Sequence, residues 1–228
     1  MPCYNEAGIL EECIAQVIRM DLVQKIILID DGSTDGSSRL CAALHRRYAP
    51  KVQALILPRN AGKNAAVRIG AMAAVTDMVA VLDCDLMIPP ESIEAALTKA
   101  VQAKAFVYGS RMNTAKNSQA MQISHRLGNR FFARWVSLLL RRPITDTLCG
   151  LKALPREVMN AISESSCRWG DLDLIFGAAD SGLTFIEIPV EYLPRRAGKS
   201  KMRVIPAATH LALQCLRRMF KRQPRCRA

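Results

Sequence analysis

The first 110 residues alternate between short apolar runs and stretches with helical spacing. Three runs, at residues 25–30, 52–57 and 78–82, have the length and composition of buried strands. Helical patterns lie between them, and Gly, Asp and Asn residues mark the loops. Strands and helices that alternate in this way predict an α/β fold with a mostly parallel sheet and helices on both faces.

Three polar loops follow strands of this predicted sheet, or stand where a strand should end. They surround Tyr4, Asp31 and the Asp83-Cys84-Asp85 segment. Ligands of open α/β sheets bind beyond the carboxyl ends of the strands. We therefore expect the three loops to meet at one crevice.

Asp83 and Asp85 carry the most specific chemistry in these loops. Acids two residues apart at a strand end point in the same direction, because the side-chain period of a strand is two. Two carboxylates this close repel each other unless a positive charge lies between them. Mg²⁺ is usually held by one or two carboxylates together with substrate phosphates. The pair therefore predicts a divalent cation that bridges to a phosphate-bearing substrate.

The charge of the chain is uneven. The net charge is +12, and residues 111–228 hold 21 basic against 8 acidic residues, whereas the first 110 are near neutral. This asymmetry indicates a polyanionic partner such as phosphates, a membrane surface or nucleic acid. Arginines interleave with aromatic and aliphatic residues over 121–140, a pattern that fits a helix packed on the sheet as well as a membrane-surface helix.

Several classes of protein are disfavoured. The eight cysteines include no Cys-x-x-Cys pair, so we expect reduced core thiols and a cytoplasmic location. No apolar run approaches the ~18–20 residues that span a bilayer. The chain has neither a Gly-x-Gly-x-x-Gly motif nor a P-loop, which argues against a dinucleotide cofactor. No motif of a nucleic-acid reader is present either, so we expect no nucleic-acid partner.

Taken in order, the motifs closely resemble those of the family 2 glycosyltransferases, in the branch of dolichyl-phosphate and polyprenyl-phosphate mannose and glucose synthases. The matching segments are Pro-Cys-Tyr-Asn-Glu at 2–6, Ile-Asp-Asp-Gly-Ser-Thr-Asp-Gly at 29–36, Asn-Ala-Gly-Lys at 60–63, Leu-Asp-Cys-Asp-Leu at 82–86, Pro-Pro-Glu at 89–91, Gly-Ser-Arg at 109–111, Asp-Thr-Leu-Cys-Gly at 146–150 and Arg-Arg-Ala-Gly-Lys-Ser-Lys at 195–201. They cover nearly the whole chain.

The resemblance implies the nucleotide-diphospho-sugar transferase (GT-A) fold and a role for individual residues. The positions that match nucleotide-binding residues are Pro2, Tyr4, Glu6, Ile29, Asp31, Asp83 and Cys84. Asp83 and Asp85 match the metal ligands, with Mg²⁺ or Mn²⁺ as the cofactor. The positions that match phosphate- or acceptor-binding residues are Arg111, Arg195, Ser200 and Lys201. The residues expected to be catalytic are Asp83, Asp85 and Arg195.

The implied reaction is an inverting, metal-dependent transfer of a sugar from a nucleotide diphosphate to a polyprenyl phosphate. We expect it at an anionic membrane surface, with the protein peripheral on the cytoplasmic face. The domain prediction is a catalytic domain over 1–203, divided into a nucleotide-sugar half (1–110) and an acceptor half (111–203), and a basic amphipathic C-terminal helix and tail over 204–228.

Two departures from the family pattern leave alternatives open. The first strand, expected before Pro2, is predicted to be missing, and Met87 stands where the family often has Gln. One alternative is a glycosyltransferase for a soluble or glycan acceptor. Another is a truncated, non-catalytic relative that binds nucleotide or membrane.

Overall fold

Strands and helices alternate along most of the chain. The computed structural model describes residues 1–85, 87–112, 123–162, 171–193 and 204–220. The strands in these ranges are β1 (Pro2–Cys3), β2 (Ile26–Asp30), β3 (Val52–Ile56), β4 (Met78–Leu82), β5 (Phe106–Ser110), β6 (Leu151–Pro155) and β7 (Phe185–Pro189). The helices are α1 (Leu10–Val17), α2 (Ser37–Tyr48), α3 (Lys63–Met72), α4 (Pro90–Ala103), α5 (Ile123–Leu140), α6 (Arg156–Ala161), α7 (Asp171–Asp180) and α8 (Val204–Phe220).

The strands form two sheets. β1, β2 and β3 pair in that order and all run parallel. The second sheet has the order β4-β6-β5-β7, in which β5 and β7 are parallel and β6 runs antiparallel to both of its neighbours. Most pairings among the described strands are therefore parallel, and the predicted α/β class is confirmed.

Helices cover both faces of the sheets. Helices α1, α2 and α4 pack in one hydrophobic cluster with Leu28 and Leu82. The second cluster joins α3 with α5, α6, α7 and α8, and it includes Val81 and Phe106. Val81 and Leu82 are neighbours on β4 but belong to opposite clusters, because successive side chains of a strand point to opposite faces. This layering leaves the strand ends free to carry the site.

Helix α8 is part of the second layer. Its residues Ala207, Leu211 and Cys215 are buried, and it packs against α5. Within the described ranges, every helix is too short or too polar to cross a membrane. The division of the chain into a catalytic domain and a tail remains a prediction.

The first strand, predicted to be missing, is represented by the two residues of β1. The Met1 ammonium donates to the Ile27 carbonyl at 2.8 Å, and Pro2 pairs with Ile29. A cavity of about 550 Å³ lies beside β1, lined by β2 and β4 and by the apolar faces of α3 and α4. The carboxyl ends of β1 and β2 are nevertheless paired, and they carry the loops of the site.

Candidate active site

Asp83 and Asp85 line one small cavity. β4 ends at Leu82, one residue before Asp83. The cavity, of about 40 Å³, is lined by both aspartates, Arg111 and Tyr192. Part of the predicted site is thus assembled in the described structure: the two acids line the same cavity as Arg111, which follows the end of β5.

Lys63 occupies the position of a counter-cation at Asp83. Its Nζ lies 2.8 Å from Asp83 Oδ1 and 3.2 Å from Asp83 Oδ2, and its side chain is 17% exposed. Burial lowers the pKa of Lys63, but Asp171 and Asp83 outweigh it and raise this pKa above its ordinary value. The lysine therefore carries its positive charge at neutral pH.

Lys63 is also connected to a second, buried ion pair. Its Nζ lies 3.8 Å from Oδ2 of Asp171, the first residue of α7. Asp171 Oδ1 accepts a 2.6 Å bond from Lys152, which lies in β6 and is 1% exposed. We refer to Asp83, Lys63, Asp171 and Lys152 as the charge chain, since their signs alternate. Buried charges need such partners, because an unpaired charge in the interior is costly.

The loop before α3 places Lys63. Asp31 is 3% exposed, and its carboxylate accepts the backbone N–H groups of Ala61 at 2.7 Å and Gly62 at 2.9 Å. Gly62 has φ +94°, a left-handed value that favours glycine. Asp31 therefore anchors the turn from which Lys63 reaches Asp83.

The Tyr4 loop joins the Asp31 loop directly. The Asn5 backbone N–H donates to Ser33 Oγ at 2.9 Å, and the Thr34 backbone N–H donates to Asn5 Oδ1 at 2.8 Å. The Glu6 N–H donates to Ser37 Oγ at 2.9 Å. The predicted meeting of the three polar loops is therefore observed: Tyr4 loop to Asp31 loop, and Asp31 to Asp83 through the Lys63 turn.

Arg111 is held by Asp146. Its Nε and Nη2 donate to Asp146 Oδ2 and Oδ1 at 2.7 and 2.9 Å, and its backbone N–H donates to Oδ2 at 3.0 Å. The carboxylate, fully buried, also accepts from Asn129 Nδ2 on α5 and from the Leu148 N–H. Burial alone would raise the pKa of Asp146, but Arg111 outweighs it and this pKa is lowered. The pair fixes the guanidinium at the rim of the cavity.

The other predicted site residues are distributed unevenly. The side chains of Ile29 and Cys84 are buried, at 1% and 3% exposure, so they face the core. Pro2, Tyr4 and Glu6 are partly exposed in or beside the joined loops. Three further predicted residues lie outside the described residues: Arg195, Ser200 and Lys201.

The site predicted from the sequence does not include Lys152, Asp171 or Asp146, and it includes Lys63 only as part of a motif. A weak signal was available for Lys152, which interrupts the apolar run Leu151–Pro155 and would need an acidic partner if that run were buried. Nothing in the local pattern marks Asp171 as that partner, because it lies 19 residues further along the chain.

The surroundings of Asp83 suit a small cation. The Lys63 ammonium already stands beside its carboxylate as a stand-in cation. Gly150 leaves space for the Asp83 carboxylate, since a Cβ at residue 150 would lie 2.5 Å from Asp83 Cγ. Oxygen ligands from two carboxylates match the preference of Mg²⁺, and Mn²⁺ accepts them as well. The residues present therefore fit a divalent metal.

A different cluster of metal-binding residue types occurs in the core. Donor atoms of Cys3, Asp30 and Cys41 lie within 4.8 Å of one another, and all three residues are buried. Thiol ligands favour softer ions than Mg²⁺. This group is not the predicted site, since it includes neither Asp83 nor Asp85.

Proteins related to this chain carry the names of undecaprenyl-phosphate sugar transferases. The chain is 28% identical over 205 residues to the undecaprenyl-phosphate 4-deoxy-4-formamido-L-arabinose transferase of Klebsiella pneumoniae, and 30% identical to the protein of that name from Edwardsiella ictaluri. Each match covers 88% of this chain and 61% of the relative. The chain thus spans about three fifths of the length of these relatives.

Solved structures share its fold. Glucosyl-3-phosphoglycerate synthase from Mycobacterium tuberculosis, with Mn²⁺ and uridine-diphosphate-glucose, matches with a TM-score of 0.66 and 19% identity, over 97% of this chain and 77% of that one. A mannosyltransferase from Pyrobaculum calidifontis, with GDP-Man and Mn²⁺, matches with a TM-score of 0.61 and 15% identity, over 96% and 70%. The predicted GT-A fold is confirmed by these likenesses.

The family itself follows from a direct match. The model described as "Glycosyl transferase family 2" matches residues 1–162 of the 228. The match includes the three joined loops, Asp83, Asp85 and Arg111. The chain belongs to glycosyl transferase family 2.

Proposed function

We propose that this protein transfers a sugar, with inversion, from a nucleotide diphosphate to a polyprenyl phosphate in a metal-dependent reaction. The observation that carries the proposal is the shared cavity of Asp83, Asp85 and Arg111 at the end of β4, with the Lys63 ammonium on Asp83. Family membership and the polyprenyl-phosphate relatives support this choice of reaction and acceptor.

Asp83 and Asp85 would hold the divalent cation. When bound, such an ion neutralises the negative charge that develops on the leaving nucleoside diphosphate. The chain's own cations reinforce this effect: Lys63 is charged and lies at Asp83, and Arg111 lines the same cavity. The joined loops around Tyr4 and Asp31 would bind the nucleoside, as the resemblance implies.

The acceptor side needs cations more than it needs a base. The oxygen of a lipid phosphate is already ionised at neutral pH, so the attacking group does not have to lose a proton. Arg111 is suited to bind a phosphate because a guanidinium donates several bonds in one plane. The proposal also gives phosphate contacts to the basic segment at 195–201.

We further propose that the protein attaches to the cytoplasmic face of a membrane through α5. Four large apolar residues of this helix are exposed by 60–78%: Ile123, Leu127, Phe131 and Leu138. At 3.6 residues per turn they fall within one narrow arc, and the exposed Arg130 and Arg134 lie on the same arc. An apolar stripe with arginines on it suits an anionic lipid surface.

The enzymatic test is a donor screen with purified protein. Nucleotide-diphosphate sugars are offered with Mg²⁺ or Mn²⁺, and the acceptor is a polyprenyl phosphate in one arm and a soluble phosphorylated acceptor in the other. We expect transfer to the lipid phosphate. We expect Asp85→Asn to reduce the rate at least about a hundredfold, because the metal would lose a negatively charged ligand. Asp77→Asn, the same change at the exposed opposite end of β4, is the control.

Each outcome has a clear meaning. Full activity of Asp85→Asn would contradict the metal-dependent mechanism, and transfer only to the soluble acceptor would contradict the lipid acceptor.

For the membrane contact, Phe131→Glu should weaken co-sedimentation with anionic vesicles. Met72→Glu, at an exposed apolar residue of α3, should not. Equal binding by both variants would contradict a role for α5.

A further inference from the structure

The charge chain places the Lys63 ammonium on a carboxylate that the proposed function gives to a metal. Lys63 lies within 3.2 Å of both oxygens of Asp83, so its ammonium and a divalent cation compete for the same carboxylate. An opposite charge at hydrogen-bond distance strongly stabilises the ionised acid, and the acid stabilises the lysine in return. A metal must therefore displace Lys63, at least in part, before Asp83 can bind it fully.

The charge chain offers the Lys63 ammonium an alternative position beside Asp171. Asp171 Oδ2 lies 3.8 Å from Nζ, which is too far for a hydrogen bond but close enough for attraction. Asp171 is itself fixed by Lys152, which donates to it and to the Cys149 carbonyl. Lys63 can thus leave Asp83 without becoming an unpaired charge, whereas Lys152 is buried and holds Asp171 in place.

The side chain of Lys63 also has the length to follow a new anion. Its stem extends from the first residue of α3 and is 17% exposed, so the ammonium can turn toward the cavity. A nucleoside diphosphate that enters with a metal brings two or three negative charges to this place. Lysine provides a compact, mobile charge that suits such a transfer from carboxylate to phosphate.

We propose that Lys63 neutralises Asp83 in the absence of metal and nucleotide, and that it moves to the donor diphosphate when metal and nucleotide bind together. Metal alone then binds weakly, and nucleotide and metal strengthen each other's binding because each relieves the other's competitor. Such coupling is reciprocal by thermodynamic necessity. This inference rests on the proposed function, since it takes the diphosphate donor from there.

The test measures Mn²⁺ binding to the full chain by electron paramagnetic resonance, with and without a nucleoside diphosphate. In Lys63→Met the competitor is gone, so Mn²⁺ alone should bind at least about tenfold more tightly, the low end of what a neighbouring charge does to the proton affinity of a carboxylate. The enhancement of Mn²⁺ binding by nucleotide should shrink. Lys99→Met, the same change at an exposed residue of α4, should behave like the unaltered chain.

Two further variants separate the charge from the shape of the side chain. Lys63→Arg keeps the cation and should keep the weak binding of Mn²⁺ alone. Lys63→Gln removes it and replaces the methionine variant if that one does not fold, as judged by circular dichroism. Unchanged or weaker Mn²⁺ binding in the neutral variants would overturn the proposal, and so would an arginine variant that binds as tightly as they do.

The failure of the proposed function looks different. An unaltered chain that binds no Mn²⁺ even with nucleoside diphosphate would overturn the metal-dependent reaction itself, and the inference with it. An unaltered chain that binds Mn²⁺ with nucleotide, but whose binding is insensitive to Lys63, would overturn the inference alone.

Discussion

Replacing Asp146 by Asn tests the ion pair that holds Arg111. The carboxylate is fully buried and accepts five hydrogen bonds, three of them from Arg111. An amide keeps the shape of the carboxylate but removes its charge. In either orientation of the amide, its NH₂ group faces N–H donors, because both oxygens of Asp146 accept hydrogen bonds. Breaking a buried ion pair by removing one partner costs about 3–5 kcal/mol, because the other charge is left uncompensated.

The expected loss is large enough for routine measurement. At about 2–4 °C per kcal/mol for a chain of this size, the midpoint of thermal unfolding should fall by roughly 6–20 °C. Circular dichroism during heating, together with urea denaturation, measures both quantities. Glu11→Gln is the matched control: its pair with Arg47 is 59–63% exposed, and its loss should cost less than about 1 kcal/mol. A loss below about 1 kcal/mol in Asp146→Asn would refute the reasoning.

Three further predictions concern the same architecture. The lowered pKa of Asp146 contributes stability that is fully present above its unfolded-state pKa of about 3.9 and is lost as the pH falls through the lower folded-state pKa. As the pH is lowered, the free energy of unfolding of the unaltered chain should therefore show a drop below about pH 4 that Asp146→Asn lacks. Identical pH curves for the two proteins would contradict this prediction. Gly150→Ala should displace the Asp83 carboxylate and weaken Mn²⁺ binding in the presence of nucleotide at least about tenfold. Unchanged binding would show that the carboxylate can move aside without losing the metal. An extended apolar segment of about four residues fused before Met1 should enter the cavity between β2 and β4 and raise the unfolding midpoint by at least about 2 °C, whereas the same segment with a central proline should not.

The order of strands and helices was predictable from local pattern alone. The apolar runs predicted as strands at 25–30, 52–57 and 78–82 are β2, β3 and β4, because periodicity and turn residues act over a few neighbours. The antiparallel direction of β6 was not predictable in this way. It depends on how the chain returns from α5, and no single segment encodes that.

The site shows the same division. Asp83 and Asp85 could be selected from the sequence, because their two-residue spacing at a strand end is a local property that determines where the carboxylates point. Their neighbours could not. Lys63 is 20 residues before Asp83, and Asp146 is 35 residues after Arg111, yet each pair is within hydrogen-bond distance.

Local pattern is therefore enough to predict the alternating elements, the family resemblance and the two acids at the end of β4. The packed fold is needed to show that Lys63 pairs with Asp83, that Lys152 is buried against Asp171, and that Arg111 is held by Asp146. The difference lies in the range of the interactions. Periodicity and turn preference act between neighbours in sequence, whereas the pairing of buried charges depends on distances that exist only after the sheets and helices have packed.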